Sequence, residues 1–289
     1  MTKQNFTNWL LFCVLSITWG SSFILMKKSA ENLNGLQIGA TRIFAAGISF
    51  LPFAIFHFKQ IPKNKLLGVI LSGLLGNLLP AFLFATAISE NGESSLASIL
   101  NSLTPLFVIV IGIFFFKARV QSRKIAGVLV GFVGLVILGL LRQPVSSNDN
   151  GVLLILVATV FYGATVNVVA NYLKGIEAFK IATVSLAIMA IPAAMVMWQQ
   201  DIFSIARYDV EARISIAFAV LLGVAGSAVA TALYYVLIQR AGGLFASLVT
   251  YAIPVVAIMW GLLANEKITA MQVGCLAMIL LGVYLANRK

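Results

Sequence analysis

The sequence predicts an all-α integral membrane protein with ten transmembrane helices in two inverted five-helix repeats and both termini cytoplasmic. Three observations predict it. The first is composition. Of 289 residues, 61% are hydrophobic and only 10% are charged, whereas a soluble chain carries about 25% charged residues. A soluble domain of this size buries roughly three quarters of its surface, too little to hide so much apolar side chain. The second is the placement of the charges. They fall between apolar runs of about 20 residues, the length that crosses roughly 30 Å of hydrocarbon. The third is repetition. Residues 94–114 align with 243–263 at an offset of 149, pairing Ala97 with Ala246, Ser98 with Ser247, Pro105 with Pro254, Ile109 with Ile258 and Gly112 with Gly261.

The spans follow in order. The run from Trp9 to Met26 is too long for a signal-peptide core and ends in no small-residue cleavage site, so it reads as the first span. Spans 8–27, 35–56, 66–88, 95–116 and 124–141 make the first repeat, residues 1–143. Spans 151–173, 179–198, 213–238, 244–264 and 270–287 make the second, residues 144–289. Continuous apolar runs, without period-two alternation, exclude a barrel. Helices then satisfy their own backbone groups in lipid. Five is odd, so the second repeat is inverted relative to the first. Two further pairs fit the repetition: Trp19-Gly20 with Tyr162-Gly163, and Gly76 with Gly226.

The basic residues set the orientation. Lys3, Lys59, Lys63, Lys65, Lys117, Arg119, Arg123, Lys124, Lys174, Lys180, Arg240, Arg288 and Lys289 lie on the N-terminal side, thirteen in all. Six lie opposite: Lys27, Lys28, Arg142, Arg207, Arg213 and Lys267. Short basic loops stay in the cytoplasm. The net charge of +11 is therefore a membrane signal, and no basic stripe points to nucleic acid.

Inverted repeats characterise secondary transporters, whose solute sites lie near the midplane where helices are interrupted. Spans four and nine fit, each with a proline about halfway along. Proline frees the carbonyl four residues earlier, here on Asn101 and Thr250. Ser98, Asn101 and Pro105 share one helical face, and Ser247, Thr250 and Pro254 repeat it. Such polar neighbours either satisfy the freed carbonyls or line a cavity. Other polar and aromatic groups at membrane depth are candidates for the same lining: Trp19 in span one, Asn77 and Phe84 in span three, and Tyr162 and Asn167 in span six. Ser227, Thr231 and Tyr234 in span eight and Tyr251 in span nine complete the candidate substrate-binding set. An amide facing lipid is costly, so these groups face inward, as lining or as interhelical glue. Trp9 and Trp198, at span ends, read as interfacial belt residues. Gly127, Gly131, Gly134 and Gly139 in span five allow close helix packing, within a monomer or at a dimer face.

Arg42 is the only arginine or lysine well inside a span. It sits seven residues into span two, about 10 Å deep. It pairs with a polar group on a neighbouring helix, contacts substrate in a cavity, or snorkels to the headgroups.

The remaining chemistry is sparse. His57 is the single histidine, and Cys13 and Cys275 lie in separate apolar runs as small buried hydrophobes. No metal site, catalytic constellation or cofactor is expected. No Walker motif occurs. Glu90, Glu93 and Glu266 sit near span ends and no carboxylate is central, which gives proton coupling no support. No soluble sensing domain supports a receptor or scaffold.

The residues resemble the drug/metabolite transporter superfamily, in particular its EamA-type branch. The resemblance rests on Trp19-Gly20-Ser21-Ser22, the ATRIFAAG around Arg42, Pro105 with the Gly127-to-Gly134 run, Pro254, Asn265-Glu266-Lys267-Ile268-Thr269 and Gly282. Lys117-Ala118-Arg119 departs from it where the family usually has an acidic residue. The resemblance implies a multi-pass carrier of the bacterial inner membrane, usually an exporter of amino acids, other small metabolites or drugs. The expectation is a secondary transporter, exporter or exchanger, of small metabolites such as amino acids. Alternating access would run through a central cavity between the repeats. The alternative is a multidrug or other metabolite efflux carrier. The apolar and aromatic candidates favour a small amphipathic solute, such as a neutral or aromatic amino acid. Its other partner is the bilayer.

Overall fold

The computed structural model of the chain describes residues 3–91, 97, 100–140, 149–263 and 269–287. Every element is helical, and no strand occurs among the described residues. Ser98, Glu93, Glu266, Arg142 and Lys267 lie outside them.

The first half opens with α1 (Lys3–Ser29) and α2 (Gly35–Phe58). Asn34 caps α2. Its side chain accepts from the Gln37 N–H at 2.9 Å, and the Gln37 side chain accepts from the Asn34 N–H at 2.9 Å. This reciprocal pair satisfies two of the N–H groups that a helix start leaves free. The third span is composite: α3 (Leu66–Gly73), a π-helical turn (Leu74–Leu78) and α4 (Leu79–Asn91). Then follow α5 (Thr104–Phe116) and α6 (Ser122–Leu140).

The second half begins with α7 (Asp149–Asn167), continued by a π-helical turn (Val168–Tyr172), and α8 (Ala178–Gln199). A short α9 (Ile202–Tyr208) leads to α10 (Val210–Leu221). A third π-helical turn (Leu222–Val229) joins α10 to α11 (Ala230–Ala241). Short α12 (Gly243–Ser247), α13 (Val249–Leu263) and α14 (Ala270–Asn287) complete the fold.

Among the described residues, eight helical stretches are long and apolar enough to cross a membrane. The expected fourth and ninth spans appear there as the shorter apolar helices Thr104–Phe116 and Gly243–Val256. The outward surface is apolar: Phe114 and Phe115 are 77% and 79% exposed, which only lipid would tolerate.

The halves interlock. Helix α2 packs on α8, and α6 packs on α14. The other main contacts come in matched pairs. Both α4 and α5 lie on α7 in the second half, while α10, α11 and α13 lie on α1 in the first. Exchanging the halves maps α4 on α7 onto α11 on α1, and α5 on α7 onto α13 on α1.

The two prolines behave differently from the sequence expectation of a kink halfway along each span. The fourth span turns at Ser102 and Leu103, and Pro105 sits in the first turn of α5. There its missing N–H has no helical partner to lose. The ninth span breaks at Leu248, whose N–H bonds to Phe245 O at 3.2 Å in a tightened turn, and Pro254 lies inside α13. One other expectation needs correction. Cys13 is exposed on the outward face of α1 and only Cys275 is buried. Trp9 lies near the start of α1. It is partly buried and packs edge-to-face on Phe12 and Phe245, both at 5.3 Å. Trp198 is 77% exposed.

The α6–α14 seam depends on missing side chains. A Cβ added at Gly282 would meet the backbone of Gly131, and one at Gly127 would meet the backbone of Ala286. A Cβ at Gly274 on the same helix would meet nothing within 4 Å. Gly282→Leu should therefore cost about 1–3 kcal/mol through overpacking. Thermal unfolding in detergent should show a lower midpoint for it and an unchanged one for Gly274→Leu.

Candidate functional site

The site forms where helices lose their regular hydrogen bonding. A π turn widens the ladder by one residue and recurs at functional positions. Two of the three described turns share a sequence: Gly73-Leu74-Leu75-Gly76-Asn77 and Gly223-Val224-Ala225-Gly226-Ser227. Both second glycines face the same kind of neighbour. A Cβ at Gly76 would come within 2.6 Å of Thr165, and one at Gly226 within 2.8 Å of Ser22. Bare backbone there lets α1 and α7 approach the turns. The Trp19 indole Nε1–H donates to Gly226 O at 3.0 Å.

Between these turns lies a cavity of about 80 Å³. A water needs roughly 10–15 Å³ in the same measure, so about five to eight water positions fit, comparable to a small metabolite. From the first half, Trp19, Ser22, Phe23 and Met26 of α1 line it, with Arg42 of α2, Gly76 and Asn77 of the first turn, and Phe84 of α4. Asn101 and Thr104 flank the break in the fourth span. The second half adds Tyr162 of α7, Gly226, Thr231 and Tyr234, and Thr250 and Ile253 of α13.

Nine of the residues named from the sequence thus meet in one space: Trp19, Arg42, Asn77, Phe84, Asn101, Tyr162, Thr231, Tyr234 and Thr250. Others stand behind it. Ser227 accepts from Arg42 Nε at 2.6 Å. Asn167 donates to Val108 O and Gly163 O, both at 3.0 Å, and so ties α7 to α5. Tyr251 is fully buried and donates to Val128 O at 2.8 Å, tying α13 to α6. Ser247 donates to Leu244 O of its own helix at 2.8 Å. Ser98 lies outside the described residues. The sequence reading missed Ser22, Phe23, Met26, Gly76, Thr104, Gly226 and Ile253 as lining. The repeated Gly-x-x-Gly-polar stretch was the available signal for the two glycines.

The lining has an apolar wall and a polar end. Trp19 meets Tyr234 edge-to-face at 4.9 Å, and Phe84 lies 6.0 Å from Tyr162 and 6.5 Å from Phe23. The carbonyl before the fourth-span turn and the one opposite Pro254 are both occupied. Thr104 Oγ1 donates to Asn101 O at 2.7 Å, and Ser102 Oγ to Thr250 O at 3.2 Å. That second bond crosses between the halves. Thr231 Oγ1 donates to Asn77 Oδ1 at 2.8 Å, while the buried Asn77 Nδ2, near the Tyr235 hydroxyl, makes no well-formed hydrogen bond among the described residues. No group of three metal-binding side chains exists among the described residues.

The comparisons with known proteins agree with this architecture. A profile of the EamA-like transporter family matches the chain twice, over residues 7–140 and 149–288. An uncharacterized transporter of Archaeoglobus fulgidus is 25% identical over 286 residues, covering 97% of this chain and 99% of that one. The uncharacterized inner membrane transporter YedA of Escherichia coli is 25% identical over 94% of this chain and 88% of its own length. A probable amino-acid metabolite efflux pump of Escherichia coli is 26% identical over 129 residues, 45% of this chain and 42% of that protein. A solved crystal structure, 18% identical, superposes with a TM-score of 0.70 over 97% of this chain and 96% of its own. With the family matched over both halves, the chain belongs to the EamA-like transporter family.

Proposed function

We propose that the chain is a secondary transporter of small metabolites such as amino acids, acting as an exporter or exchanger at the inner membrane. The observation that carries this reading is the cavity itself. Both halves build it, at matched interruptions of their helices, and it holds one cation beside an aromatic wall. Alternating access needs such a site between two bodies that can rock. The cross-exchanged packing of the halves supports two inverted five-helix repeats, residues 1–143 and 144–289, with ten spans and cytoplasmic termini. Towards the start of α1 the bundle is closed by Trp9, Phe12 and Phe245, with ring centres 5.3–5.5 Å apart. Such a plug is what one end of an alternating pathway requires. The relative named a probable amino-acid metabolite efflux pump supports the solute class. A second reading, efflux of apolar drugs, draws on the same aromatic wall, but a buried arginine adds nothing to binding a neutral apolar compound.

Flux into and out of liposomes containing the purified chain tests this directly. Leucine and tryptophan should move, with little transport of arginine. Movement of glutamate alone, or of none of a broad metabolite panel, contradicts the reading. Fluorescent-protein and alkaline-phosphatase fusions at the C-terminus should give bright cells and an inactive phosphatase; the reverse overturns the orientation.

The staple residues separate structure from binding. Tyr251→Phe leaves Val128 O without its partner and should cost about 1 kcal/mol of stability. Its solute affinity should remain within error, because the lost hydroxyl points to α6 and away from the cavity. Phe84→Ala should weaken affinity by removing a wall ring. Thermal unfolding and binding titrations of both variants check this.

A further inference from the structure

We infer that the cavity recognises its solute through a single carboxylate, and that it offers no counter-charge to an amino group on that solute. This rests on reading the cavity as the transport site, and it narrows the solute to a compound with one carboxylate and an apolar or aromatic body.

The guanidinium carries the argument. Arg42 lines the cavity, and its Nε donates to Ser227 Oγ at 2.6 Å. A guanidinium presents two bidentate edges, and the Nε atom belongs to only one of them. The terminal Nη1/Nη2 edge is left without a hydrogen-bond partner among the described residues. That edge matches the two oxygens of a carboxylate. The ion pairs among the described residues are Lys28–Glu31 and Lys180–Glu177, both at helix ends. No acidic side chain lines the cavity among the described residues. A buried charge left unpaired is costly, so an anionic solute supplies what the protein omits.

A second group points the same way. Asn77 is 6% exposed, its Oδ1 is occupied by Thr231, and its Nδ2, near the Tyr235 hydroxyl, makes no well-formed hydrogen bond among the described residues. The hydroxyl hydrogens of Ser22, Thr104, Thr231 and Thr250 are all spent on acceptors within the protein. The donors that remain in the described lining are the guanidinium edge, the Asn77 amide and the Tyr162 and Tyr234 hydroxyls, and the only charge among them is the cation, which an anion complements. An ammonium group would find no counter-charge among the described lining and would feel repulsion from Arg42. The aromatic pairs Trp19–Tyr234 and Phe84–Tyr162 take the apolar body.

Calorimetric titration of the purified full chain with four probes of one shape tests this: 3-phenylpropionate, phenylalanine, phenethylamine and 3-phenylpropanol. Both carboxylates should bind, 3-phenylpropionate at least as tightly as phenylalanine, and the amine and alcohol about tenfold or more weaker. Arg42→Gln should remove that difference. Because this variant also loses the Ser227 contact, Asn77→Asp provides a second, near-isosteric test. It places an acid in the cavity and should weaken 3-phenylpropionate about tenfold while admitting phenethylamine. The inference is overturned if phenethylamine matches 3-phenylpropionate, if phenylalanine binds and 3-phenylpropionate does not, if no probe binds, or if folded Asn77→Asp keeps the wild-type preference. Carboxylate-selective binding without flux in liposomes supports this inference and overturns the transport reading. Flux of phenylalanine and phenethylamine at equal rates does the opposite.

Discussion

A backbone carbonyl surrounded by lipid has to find its hydrogen inside the protein. That constraint organises this fold. Most of the chain meets it with uninterrupted helix, and two of the three π-helical turns and the break in the fourth span lie at the cavity. Asn101 O takes a hydroxyl from Thr104, Thr250 O takes one from Ser102 across the two halves, and Gly226 O takes the Trp19 indole. Each broken ladder is repaired by a side chain reaching in from nearby. The cavity therefore sits where the backbone is least regular and most dependent on its neighbours. Helix interruption and cavity are one feature of the structure.

Arg42 is the second organising element. Its carbonyl lies where a Cβ on Gly223 would fall, so α2 touches the turn Leu222–Val229 closely. Its side chain reaches Ser227 of the same turn. Asn77 occupies the matching position of the first-half turn and bonds to Thr231 of the second half. The two polar residues that end the repeated Gly-x-x-Gly stretches thus act differently: Ser227 orients the charge, and Asn77 leaves a donor open. The repeat is symmetric in backbone and asymmetric in chemistry.

Much of this was legible in the sequence. Apolar run length marks the long spans, because crossing lipid imposes a minimum length. The repetition of Ala97, Ser98 and Pro105 at Ala246, Ser247 and Pro254 relates the halves. What lipid hides is the direction a helix faces. A lipid-facing leucine and a core leucine are equally apolar, so periodicity carries little information about which side is buried. Asn167 and Tyr251 consequently read as lining, although they are interhelical staples, and Cys13 read as buried, although it faces outward. The π turns were illegible for another reason. Their signature is two glycines and a polar residue, which resembles ordinary close packing until both copies are compared. Pro105 misled because the turn at Ser102 and Leu103 places it at a helix start, where proline is well tolerated.

The central claim is that both halves share one cavity that opens to each side in turn. A single cysteine in the lining tests it most directly. Ser22→Cys, in a chain with Cys13 and Cys275 changed to serine, places a thiol beside Gly226. A membrane-impermeant maleimide applied separately to each face of sealed vesicles then reports access. The account predicts labelling from both faces, slowed in each case by a transported solute. Labelling from one face only, under every solute gradient, would contradict it.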